Sequence, residues 1–161
     1  MVKWLKLTQH QYIGFFALGL AFFVLQEMPY VIMPLIPLAA NPLMEMADKS
    51  MILNAAEKTL GISCIVVLLF LVRSDSKWFS LDGTKEIVFF CLAMLAIVGY
   101  FTGWAFYFNG HQSLPLMLCT LVALPPIYYL FIGLWRGNGV LAVIGGLFFV
   151  AHISNVWYNL H

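Results

Sequence analysis

"IVFFCLAMLAIVGYFTGWAFYF", residues 87–108, runs for 22 residues without a charge. As a helix rising 1.5 Å per residue it covers about 33 Å, enough to cross a hydrocarbon core ~30 Å thick. It lacks the polar–apolar alternation of a membrane barrel, so a helix is the form that satisfies its backbone in lipid. The rest of the chain is of the same kind. Of its 161 residues, 63% are hydrophobic and 9% charged, where soluble domains carry about 25% charged residues. Seven acids and eight bases cannot cover that much apolar surface in water. The expected partner is the lipid bilayer, and the expected fold is an all-α, polytopic integral membrane bundle forming a single domain over residues 1–161. The net charge is +1 and no basic patch with interleaved aromatics is present, so no nucleic-acid partner is expected.

Working outward from 87–108, four further spans are expected at 12–33, 53–72, 114–135 and 139–158. The apolar part of the second, 59–72, is too short to cross, so that helix extends back through Lys58, Glu57 and Asn54. The N-terminal stretch has the basic start and apolar run of a signal peptide but is read as a first membrane helix. Orientation follows from the basic residues. An inside N-terminus puts Lys3, Lys6, Arg73, Lys77, Lys85 and Arg136 on the inner side and only Lys49 and Lys58 outside. The C-terminus is then outside, with Trp157 and Tyr158 at the outer interface, and the cell (plasma or inner) membrane is the expected location.

Prolines 29, 34, 37 and 42 cannot share one undisturbed helix. Residues 34–50 therefore read as an outer loop or a shallow re-entrant turn. Pro125-Pro126 should kink the fourth helix and free the carbonyls of Leu121 and Val122. Gly99 with Gly103, and Gly133 with Gly137, are small-xxx-small pairs that allow close helix approach, read here as packing within the chain. The loop 73–86 holds a turn at Asp82-Gly83 and reads as a solvated connector. Cys64, Cys91 and Cys119 sit in apolar runs with no C-x-x-C spacing and read as small buried hydrophobes.

Depth along each span exposes a pattern. Counted from the inner boundary, Glu27, Glu57, Tyr100, Thr120 and His152 all fall about 20–22 Å up. Five helices thus bring one polar group each to a common level, while the inner half has almost none. Such groups are costly in hydrocarbon, about 2.5–3.5 kcal/mol for a central charge, and mark functional sites by default. His152, Asn155 and Asn159 share a helix face, as do Asn54, Glu57 and Lys58. The expectation is an outward-opening polar pocket floored by Glu27, Glu57 and His152, with Glu27 and His152 as a direct pair and 34–50 as its roof. Asn54, Asn155, Tyr100 and Trp104 complete the ligand-binding set, and Trp104, Tyr107, Tyr30 and Phe108 could furnish aromatic walls. Glu57 could alternatively snorkel to Lys58 or Lys49.

Five of eight methionines fall within residues 28–51. Met44, Met46 and Met51 form a thioether cluster that, with His152, His111 or His161, could hold Cu(I); flexible apolar packing explains the same residues. No G-x-S-x-G, H-E-x-x-H, phosphate-binding or dinucleotide motif is present. Size and span count resemble the porphyrin-binding tryptophan-rich sensory family, but its W-x-P-P signature after the first span is absent, and no family is assigned. The leading expectation is a small membrane protein that binds or passes a small ligand or cation, as a sensor or as an accessory subunit beside other membrane subunits. The alternative is a membrane-embedded enzyme acting on a lipid-like substrate at the outer leaflet, with Glu27 and His152 as acid and base.

Overall fold

The computed structural model describes residues 2–74 and 77–160. Five helices in it are long and apolar enough to cross a membrane. We label them α1 (Ala17–Ile32), α2 (Met51–Phe70), α3 (Thr84–Phe108), α4 (Leu114–Trp135) and α5 (Gly139–Leu160). Their outward faces carry Leu95, Val98, Val143, Leu147 and Val150, all exposed, a surface that suits hydrocarbon rather than water. The core lies around α4, the most buried of the five. It packs along α3 on one side and α5 on the other, and α2 packs on α5. Helix α1 joins through one face, burying Gly19, Phe22, Gln26 and Pro29. That face meets α4 through aromatic edges: Phe22 lies 6.3 Å from the Tyr128 ring and 5.7 Å from the Trp135 ring.

One end of the bundle carries a three-stranded antiparallel sheet that the all-α expectation lacked. It consists of β1 (Val2–Lys6), β2 (Gln11–Phe15) and β3 (Leu71–Arg73), in that order. The expected helix start at residue 12 is therefore corrected to Ala17, and the expected helix end at 72 to Phe70. The physical reason is legible in "VKWLK" and "QYIGF": alternating, β-branched and aromatic residues fit a pleated surface. Gly14 lets the two strands approach, since a Cβ there would sit 2.1 Å from the Val2 carbonyl oxygen. β3 continues straight out of α2 and closes the sheet against β2.

The same end gathers Lys3, Lys6, Arg73, Lys77, Lys85 and Arg136. The Arg73 guanidinium donates to the Gly137 carbonyl at 3.0 Å, that of Arg136 to the Lys77 carbonyl at 2.8 Å, and the Trp135 indole to the Ser80 carbonyl at 2.9 Å. Gly137, at φ +61°, makes the left-handed turn that ends α4. Asn138 then caps α5 by accepting from the Leu141 amide at 3.1 Å.

Helix α4 is not a simple kinked helix. An α-turn (Leu114–Leu116) leads into a π-helical stretch (Met117–Val122), and α-helix resumes from Leu124 to Trp135. Pro125 and Pro126 donate no hydrogen bonds and crowd the carbonyls one turn back. The widened π turn, in which the Ala123 amide reaches the Leu118 carbonyl at 3.0 Å, accommodates that crowding. The small residues serve packing within the chain. A Cβ at Gly103 would lie 2.2 Å from Thr120 Oγ1, and one at Gly133 would lie 2.6 Å from the Ala142 backbone nitrogen.

At the far end, Met33–Leu35 forms a 3-10 turn and residues 36–50 run across the helix ends as a loop. Its fastenings are specific. The Tyr107 hydroxyl donates to Asn41 Oδ1 at 2.6 Å and accepts from the Leu43 amide at 3.3 Å. Gln112 donates to the Ala40 carbonyl at 2.9 Å, and the Lys49 amide donates to Asn159 Oδ1 at 2.9 Å. Ser50 caps α2 by accepting from the Leu53 amide at 3.3 Å.

Candidate functional site

Toward the middle of the bundle, four helices line an open cavity of about 170 Å³. Helix periodicity supplies its walls. Gln26, Glu27 and Tyr30 come from α1, and Glu57, Gly61 and Ile65, each four residues apart, from α2. Pro125 and Tyr129 come from α4, and Phe148 and His152 from α5. Gly61 makes room for the Phe148 ring, whose Cζ would lie 3.3 Å from an added Cβ.

The polar lining is organised around Glu57. Its Oε1 lies 2.9 Å from His152 Nδ1, and its Oε2 accepts from the Asn155 side-chain amide. Asn155 Oδ1 in turn accepts from Asn159 Nδ2 at 3.1 Å, and Asn159 Oδ1 from the Lys49 amide. A hydrogen-bonded line therefore runs from the loop over the helix ends down to the carboxylate. With Nδ1–H donating to Glu57, the neutral imidazole keeps its lone pair on Nε2. The ring is further held by stacking on Phe148, with centroids 5.1 Å apart. On the opposite wall the Tyr129 hydroxyl donates to Gln26 Oε1 at 2.7 Å, and the Gln26 side chain stands beside the Glu27 carboxyl. Among the described residues, no lysine or arginine lines the cavity.

The partner of His152 is thus Glu57, where the sequence reading placed Glu27. Glu27 and His152 line the same cavity, but the imidazole nitrogen that meets a carboxylate meets Glu57. Nor does Glu57 snorkel to a lysine: its side chain is 19% exposed and that of His152 11%. Asn155 stands behind Glu57 rather than on the cavity wall. Asn54 lies a turn from the start of α2, half-buried, away from the lining. Tyr100 and Trp104 sit one layer back. Trp104 packs edge-on against Tyr30 at 5.2 Å and Tyr100 against Trp104 at 6.2 Å. Both are fully buried, and among the described residues Tyr100 Oη and Trp104 Nε1 have no hydrogen-bond partner. The expected aromatic walls are instead a cluster: Trp104, Tyr107 and Phe108 pack on one another within 5.1–6.2 Å, and Tyr30 alone of that set reaches the cavity.

Gly61, Tyr129 and Phe148 were not singled out in the sequence. Gly61 lies one helical turn from Glu57, Phe148 one turn from His152 and Tyr129 one turn from Pro125, so their spacing was the available signal. Of the thioethers, Met44 and Met51 are exposed and Met46 is partly buried. Among the described residues, no three His, Cys, Asp or Glu side chains come together as a metal would need; His161 lies outside them. No family model, curated protein or solved structure matches the chain.

Proposed function

We propose that this chain is a multi-pass protein of the cell membrane that binds or passes a small ligand or cation in the four-helix cavity, as a sensor or accessory subunit of a membrane complex. One observation carries the reading: two carboxylates and an imidazole face a void of about 170 Å³ between helices apolar enough for lipid. Ionisable groups at such depth are expensive and tend to be retained for a site. Six of the eight basic residues belong to the sheet end, which supports a cytoplasmic position for that end and an outward-facing loop end.

Native mass spectrometry of protein extracted gently from its own membrane tests the proposal. The expected spectrum carries a stoichiometric added mass that disappears in Glu27→Gln. A bare chain, in wild type and variant alike, counts against a tightly held ligand.

A second reading has its own support. The 2.9 Å contact of His152 with Glu57 orients the imidazole as a general base would need, for an enzyme acting on a lipid-like substrate. His152→Ala separates the two: an enzyme loses turnover and keeps its ligand, whereas a binding protein loses the ligand.

A further inference from the structure

The cavity's chemistry narrows what it takes. We propose that its ligand is a small protonated organic amine, an inference that rests on the cavity being a binding site at all. Size speaks first. One water needs only about 10–15 Å³ measured in this way, so about 170 Å³ is far more than a monatomic ion fills. A molecule of several heavy atoms fits.

Charge speaks second. The lining holds two carboxyls, and its one basic side chain, His152, is engaged by Glu57. The Glu27 carboxyl has the neutral Gln26 amide beside it. A cation entering the cavity meets an acid with no resident counter-charge among the described lining residues, whereas an anion meets two carboxyls. The walls speak third. Tyr30, Tyr129 and Phe148 line the cavity with these acids, and aromatic faces attract ammonium groups. Hard metal ions would want six or more oxygen ligands. Here Glu57 is committed to His152 and Asn155, and Gln26 Oε1 to Tyr129. Glu27 anchors the ammonium and the aromatic rings hold its organic part.

Three probes of one shape and different charge test this: benzylamine, benzyl alcohol and benzoate, each added to the detergent-solubilised full chain. The readouts are native mass spectrometry for a one-to-one adduct and the thermal unfolding midpoint, compared with lipid-free controls. The expected result is a one-to-one adduct and a raised midpoint with benzylamine, and neither with the other two at tenfold higher concentration. Glu27→Gln, nearly isosteric, should weaken the amine at least tenfold. The wild-type comparison needs no variant, so a Glu27→Gln chain that failed to fold would leave the test intact. Equal binding of the alcohol, or unchanged amine affinity in folded Glu27→Gln, overturns the amine assignment. In that case a saturable adduct lost in Gly61→Leu would keep the cavity as a binding site. No adduct with any probe overturns the amine proposal, and the adduct from native membrane then decides separately whether the cavity binds anything.

Discussion

Removing the Glu57 carboxylate in two ways should separate its role as a charge from its role as a hydrogen-bond hub. Glu57→Ala strands His152 Nδ1 and Asn155 Nδ2, which both meet the carboxylate. Each stranded buried group costs about 1–3 kcal/mol, so a dry site would lose about 2–6 kcal/mol. His152 borders a cavity of about 170 Å³, large enough for a water to take the place of the lost partner. The expected loss is accordingly about 2–3 kcal/mol. Glu57→Gln behaves differently. Its carbonyl can accept from Asn155 while its amide donates to the other tautomer of His152. Only the extra strength of charge-assisted bonds is lost, about 1 kcal/mol. Reversible unfolding in mixed micelles measures both. A cycle with His152→Ala should give a coupling of about 1–3 kcal/mol, as for contacting residues. Equal stabilities for Ala and Gln, or a coupling near zero, would refute the hub.

Two further outcomes follow from geometry elsewhere. Gly103→Ala places a methyl 2.2 Å from Thr120 Oγ1 and 2.5 Å from its Cβ, so it should cost at the upper end of the roughly 1–3 kcal/mol of overpacking; Gly139→Ala, with nothing within 4 Å, should stay within about 0.5 kcal/mol, both read by the same unfolding assay. At the sheet end, the Lys77 hydrogen bond at 2.5 Å holds the Asp82 carboxyl below the usual aspartate range and, through the same bond, the Lys77 amine above its own. The pair's contribution is full above the ordinary aspartate range and fades as pH falls through the depressed Asp82 value. A carbon-detected NMR titration should place the Asp82 midpoint below that of an unpaired aspartate, and Lys77→Met should raise it toward the ordinary range.

The five long apolar helices were legible because uncharged length is countable in a sequence. The sheet was not, because Gln11–Phe15 runs without a polar break into α1, and hydropathy alone does not separate a strand from the helix that follows. The disturbance in α4 was legible at Pro125-Pro126. Its π form was not, since a missing donor can be met by a kink or by a wider turn. Depth arithmetic brought Glu27, Glu57 and His152 to one level, and all three line one cavity. It could not choose the partner of His152. That choice depends on how each helix is rotated and which helix stands beside α5. Packing sets α2 there, with α1 meeting the bundle through its aromatic face on α4.

The line from Lys49 to Glu57 has a direction, and the direction makes a prediction. Asn159 accepts from the Lys49 amide and donates to Asn155, which donates to Glu57. Each asparagine therefore points its donor toward the carboxylate and its acceptor toward the loop. Glu57 sets that polarity by accepting from Asn155. A glutamine there can donate as well as accept, and Asn155 and Asn159 can then reverse while keeping their bonds to each other and to residue 57. Reversal turns an amide donor toward the Lys49 amide, and that contact cannot persist. The Lys49 amide should thus exchange its hydrogen roughly threefold to tenfold faster in Glu57→Gln, the effect of weakening one hydrogen bond by about 1 kcal/mol. The Leu43 amide, held by Tyr107 and outside this line, should exchange as in the wild type. If both amides speed up together, the loop has loosened as a whole. If Lys49 alone responds, the carboxylate in the cavity sets the fastening of the loop above it.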